Sequence, residues 1–110
     1  MNKEYTILVV DDEKDMLETC SRIIKRMGYR SVSFTDSQEA LEKMGDIAPE
    51  LIITDLQMPG VNGFQVLERV KEDLPETLVI MITGFASIDS AINAMKNGAF
   101  DYLPKPFKLD

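Results

Sequence analysis

The chain contains no histidine and one cysteine, Cys20. Without histidine it cannot assemble a Ser-His-Asp or Cys-His catalytic group, and with one cysteine it cannot build a Cys/His zinc site. A disulfide within the chain is excluded, which fits a reducing compartment. Basic residues are scarce: 12 Lys and Arg stand against 19 Asp and Glu, a formal net charge of -7. That balance argues against a nucleic-acid surface, which needs clustered cations. No apolar run reaches membrane-spanning length. The opening Met1-Asn2-Lys3-Glu4-Tyr5 is not followed by the long apolar stretch of a signal peptide. The expectation is a cytoplasmic protein with no membrane partner.

What is present suits one globular domain, residues 1-110. Its 45% apolar and 28% charged residues can bury a single core. Thr6 to Val10 and Leu78 to Ile82 are continuous apolar runs, the pattern of parallel strands buried on both faces. Leu51 to Asp55 is a third such run, and it stops on a carboxylate. Arg30 to Phe34 alternates, as a strand nearer an edge does. Ala99 to Leu103 reads as a last short strand.

Helical spacing fills the gaps. Leu17, Cys20, Ile24 and Met27 form an apolar stripe that Gly28 ends. Cys20 lies on this stripe and reads as a small core residue. Asp36-Ser37-Gln38-Glu39 resembles a capping box, opening a helix with Ala40, Leu41 and Met44 inward and a turn at Gly45 to Pro49. Asn62-Gly63 opens a helix with Phe64, Leu67, Val70 and Leu74, which Pro75 ends. Ser87 or a neighbour caps a helix carrying Ile88, Ala91, Ile92 and Met95, and Gly98 closes it. Alternating strands and helices predict a doubly wound α/β domain with a five-stranded parallel sheet and right-handed crossovers. A final helix should follow the fifth strand, yet only Lys108-Leu109-Asp110 remain there. The expectation is a truncated piece of a longer protein.

In open parallel sheets, ligands bind beyond the carboxyl ends of the strands. Asp11 and Asp12 follow the first strand and Asp55 ends the third. Thr83 ends the fourth and Lys105 follows the fifth. Three carboxylates at one rim repel each other, by about 3 kcal/mol per pair at about 5 Å and an effective dielectric near 20. A bound cation offsets that repulsion. All the donors are oxygens, so the cation should be hard, with Mg2+ the first choice beside phosphate chemistry. Lys105 supplies charge for an anion and Thr83 a hydroxyl. Together these residues read as a phosphoryl-transfer site with Asp55 as nucleophile. Taken singly, each has a plainer reading: a helix cap for Asp11-Asp12, a turn for Thr83, a surface lysine for Lys105.

Val9-Val10-Asp11-Asp12-Glu13, Asp55-Leu56-Gln57-Met58-Pro59-Gly60 with Gly63, Thr83-Gly84, and Lys105-Pro106-Phe107 carry a resemblance over essentially the whole chain. It resembles the receiver domain of bacterial two-component response regulators, with flavodoxin-like strand order 2-1-3-4-5. The resemblance implies that Asp55 is the phosphorylation site. It implies that Asp12, Asp55 and the backbone carbonyl of Gln57 bind Mg2+ directly, with Asp11 acting through water. Thr83 and Lys105 would contact the phosphoryl group, and Thr83 with Tyr102 would form the switch. Phosphohistidine is the donor in that family. This chain has no histidine, so the donor would be a sensor histidine kinase or phosphotransfer protein. Charged residues on the first helix can form part of that docking surface, or a plain solvated face.

Output would pass through the fourth-helix and fifth-strand surface, to an attached output domain, a downstream protein or a phosphorylation-dependent homodimer. The stretch from Ile82 through Tyr102 is similar to receivers that precede transcriptional activators and to those of hybrid histidine kinases. Two other classes compete. A phosphatase with an aspartyl-phosphate intermediate would want an acid at position 57, where Gln57 stands. A phosphate-independent interaction domain would have no use for the whole constellation.

Overall fold

A computed structural model describes residues 4–84 and 86–105. The order of elements is β1 (Thr6–Val10), α1 (Lys14–Arg26), β2 (Arg30–Phe34), α2 (Ser37–Ile47), β3 (Leu51–Asp55), α3 (Gly63–Asp73), β4 (Leu78–Thr83), α4 (Ile88–Lys96) and β5 (Asp101–Pro104). The five strands are all parallel, in the order β2-β1-β3-β4-β5. That is the predicted order, and no fifth helix lies among the described residues. Met1 to Lys3, Phe85, and the Pro106-Phe107 and Lys108 to Asp110 stretches discussed above lie outside them.

Alternation along each strand divides the core in two. Leu8, Val10, Ile52, Val79 and Met81 point to one face, where they pack with Ala40, Met44, Val66, Leu67, Val70 and Ala94 from α2, α3 and α4. Val9 points to the other, against Leu17, Cys20 and Ile24 of α1, with Ile7 and Ile53 at the margin. Ile52, Val79 and Met81 are fully buried, whereas Ile7, Leu51, Ile53 and Ile80 are only half-buried. An entirely apolar cavity of about 280 Å³ opens beside α1, lined in part by Ile7, Ile53, Ile80 and Leu103. Cys20 is buried on the α1 stripe, as its spacing predicted.

Three local expectations differ from the structure. Helix α2 runs through Gly45 to Ile47, and Ala48 ends it at φ 48° in the left-handed region. Gly45 fits within the helix, and Pro49 supplies the stop. At the start of α2, Asp36 accepts from the Gln38 N–H, but Glu39 does not close a capping box. Strand β5 begins at Asp101 because Ala99 is still tied back to Ala94, its N–H donating to that carbonyl.

Candidate functional site

Each residue at the carboxyl rim is placed by a specific backbone device. The Asp11 N–H donates to the Phe34 carbonyl at 3.1 Å, continuing the β1–β2 ladder one residue past the strand. Its carboxylate Oδ1 accepts the Glu13 N–H at 2.9 Å, which turns the chain into α1. Asp55 is the last residue of β3. Its own Oδ1 accepts the Gln57 N–H at 3.3 Å, and its carbonyl accepts the Thr54 hydroxyl at 3.0 Å.

The start of α3 bears directly on this turn. The Gly63 N–H donates to the Leu56 carbonyl at 2.9 Å. A Cβ on Gly63 would lie 2.5 Å from the Asp55 carbonyl oxygen and 2.9 Å from the Leu56 Cα. Only glycine allows the helix to approach this closely. An Asn62–Gln65 capping box secures the same helix end.

Asp11 and Asp55 are buried and Asp12 is exposed. One carboxylate oxygen from each of the three lies within 4.8 Å of the others. An all-oxygen donor set of this kind suits a hard divalent cation. Lys105 leans into the cluster. Its Nζ donates to Asp11 Oδ2 at 2.8 Å, Asp55 Oδ2 at 3.0 Å and Glu13 Oε1 at 2.7 Å. Burial alone would push the lysine pKa down, but the hydrogen bonds to Asp11, Glu13 and Asp55 outweigh it and hold the pKa above its ordinary value. Asp11 shows the converse balance. Burial pushes its carboxyl above the usual aspartate range, and Lys105 only partly offsets that.

Lys105 is positioned in turn by its own N–H, which donates to the Thr83 carbonyl at 2.8 Å. Thr83 is fully buried. It stands one residue beyond Ile82, the register partner of Asp55. The predicted residues Asp11, Asp12, Asp55, Thr83 and Lys105 therefore meet at one edge of the sheet. Gln57 joins them through its N–H, which donates to Asp55 Oδ1. Tyr102 lies farther along β5, opposite Met81 and half-buried against the larger core.

Two residues that the sequence reading left without a role also belong here. Glu13 is the N-cap of α1, yet its side chain caps no helical N–H; its carboxylate reaches Lys105 instead. The reading of the Asp11-Asp12 pair as the cap of α1 therefore fails. Ser90 closes a capping box with Ser87 at the start of α4, and its hydroxyl also hydrogen-bonds the Tyr102 phenol. Neither contact leaves a sequence signal, since the partners are 92 and 12 residues away.

A family model described as the response regulator receiver domain matches residues 7–110. The chain is 35% identical to the DNA-binding transcriptional regulator NtrC of Escherichia coli (strain K12), over 94% of this chain and 22% of that protein. It is 35% identical to the nitrogen assimilation regulatory protein NtrX of Azorhizobium caulinodans, over 96% of this chain and 24% of that protein. The chain thus spans about a quarter of the length of these curated relatives. Among solved structures, the beryllofluoride-activated NtrC4 receiver domain dimer superposes with a TM-score of 0.88 at 36% identity, covering 94% of this chain and 85% of that one. A receiver domain protein of Clostridium thermocellum gives the same score at 35% identity, covering 94% and 84%.

Proposed function

The chain belongs to the response regulator receiver domain family, and on that premise we propose that residues 1-110 form a phosphoacceptor switch in which Asp55 takes a phosphoryl group from a partner phosphohistidine. The observation that carries this reading is the meeting of Asp55 with Asp11, Asp12 and Lys105 at one rim. An Asp55 carboxylate oxygen attacks phosphorus, and the P–N bond of the donor breaks as the P–O bond forms. The imidazole departs with the electron pair. Asp12, Asp55 and the Gln57 carbonyl would hold Mg2+ directly, with Asp11 acting through water. The ion would neutralise charge on the phosphoryl oxygens.

This chain's own groups do the rest. Lys105 transfers its ammonium from the carboxylates to a phosphoryl oxygen. The Thr83 hydroxyl donates to another. Phosphorylation adds roughly two negative charges and three acceptor oxygens, enough to draw both donors in. As Thr83 turns, Tyr102 moves inward, and the α4–β5 surface changes the partner contacts it favours.

The domain accepts and releases phosphate without turning over a substrate, since Gln57 supplies no general acid two residues after the nucleophile. The phosphoryl donor would be a sensor histidine kinase or a phosphotransfer protein. The relatives' names favour a transcriptional regulator as the output, with the DNA contacts made by another part of the protein. A homodimer formed on activation agrees with the described state of the NtrC4 receiver. Labelling with a small-molecule phosphoryl donor and Mg2+ tests the reading. One phosphoryl group per chain is expected, and it should be lost in Asp55→Asn. Full labelling of that variant would refute the assignment.

A further inference from the structure

Glu13 sits at the N-cap of α1 but does no capping. Glutamate is a poor N-cap in any case, because the favoured residues there have short side chains. Its carboxylate is directed to Lys105 Nζ at 2.7 Å, the shortest of that lysine's three ion pairs. The other two are to Asp11 and Asp55, which belong to the carboxylate cluster suited to a divalent ion; Glu13 does not. A divalent ion held by Asp55 directly and by Asp11 through water would compete for both carboxylates and repel the ammonium beside them. Among the described residues, Glu13 is the anionic partner that would remain to the lysine.

We propose that Glu13 is a positioning residue, which retains the Lys105 ammonium at the rim of the acidic pocket when a divalent cation claims Asp11 and Asp55. The proposal rests on the metal and phosphoryl reading above and deepens it. Glu13 holds the lysine close to Asp55 through the interval between ion entry and phosphoryl arrival. It also makes ion entry easier, because the lysine keeps one partner rather than none. The Glu13 side chain is 63% exposed, so its effect should be that of a surface ion pair.

A double-mutant cycle on the full chain tests this, with Mg2+ affinity read by calorimetry in the wild type, Glu13→Gln, Lys105→Met and the double variant. Circular dichroism first establishes that each is folded. Glu13→Gln should weaken Mg2+ binding about threefold to fivefold, the equivalent of one exposed ion pair. In the Lys105→Met background the same substitution should change affinity by less than about twofold, because there is no ammonium left to hold. Equal losses in both backgrounds would mean that Glu13 acts only as a nearby charge, and would overturn the proposal. No loss in either background would overturn it as well. Asp12→Asn is the control for the site itself. If Asp12→Asn does not weaken Mg2+ binding, the metal reading fails, and the proposal fails with it for a distinguishable reason.

Discussion

Helices α3 and α4 lie on the same face of the sheet and share a capping-box start, yet they are held very differently. Helix α3 buries Gly63, Val66, Leu67 and Val70, and its first residue is pressed against the backbone of Asp55. Helix α4 buries only Ala94. Its Ile88 is 80% exposed, and Ile92 and Met95 are about half exposed. Next to it, Phe100 is 59% exposed and Leu103 lies at the margin. On the function proposed above, the contrast separates a part that receives from a part that reports. The Asp55 side is pinned by backbone contacts, and its Asp11, Glu13 and Asp55 carboxylates all pair with Lys105. The α4–β5 side keeps apolar surface in solvent and has few buried anchors, the signature of an element with low local stability.

The largest expected effect lies on the acceptor side. Asp55→Asn should abolish phosphoryl labelling while leaving the circular dichroism spectrum unchanged. Lys105→Ala should come next: the fold should survive, but phosphorylation should no longer strengthen dimer or partner binding. A binding titration with unchanged coupling would break the division of roles. Stability should divide along the same line. Leu67→Ala should cost about 2–5 kcal/mol by urea unfolding, whereas Ile92→Ala should cost less than about 1 kcal/mol. Equal losses would mean that α4 is as firmly anchored as α3.

A smaller effect concerns pH. Burial holds the Asp11 pKa above 3.8 in the folded chain. A carboxyl with a raised folded pKa favours the fold while protonated, and that contribution is lost as pH rises through the folded value. Without divalent ions, Asp11→Asn should therefore raise the melting temperature at neutral pH. The gain should shrink as pH falls toward 3.8. A gain that is independent of pH would count against burial as the cause. The smallest effect is expected from Ser90→Ala, which removes the Tyr102 contact and the N3 half of the α4 capping box. Stability should fall by less than about 0.5 kcal/mol, and the Tyr102 ring signals in NMR should broaden or shift before any phosphorylation.

Strands β1 and β3 were legible in the sequence to the residue, because apolar runs ending on turn residues leave little choice of register, and β2 was legible from its alternation. The rim was legible too: a parallel sheet brings all its strand ends to one edge, so Asp11, Asp55, Thr83 and Lys105 could be placed together without coordinates. The role of Glu13 could not be read this way. It depends on a lysine side chain spanning from β5 to the start of α1, a contact with no periodicity behind it. Ser90 was hidden for the same reason, its hydroxyl looking like an ordinary cap. Gly45 misled because a glycine in mid-helix and a glycine ending one look alike in sequence; the stop came from Ala48 and Pro49 instead.

The close approach at Gly63 has a mechanical consequence. With a helix end pressed on its carbonyl, the main chain of Asp55 has no room to recoil. Under the proposed phosphorylation, which adds mass and charge to its side chain, Asp55 would behave as a fixed post. Any displacement must then be taken up by what is not pinned, the side chains reaching in from β4 and β5. Replacing that glycine with alanine would loosen the post, and part of the push meant for the far side of the sheet would be absorbed at its source.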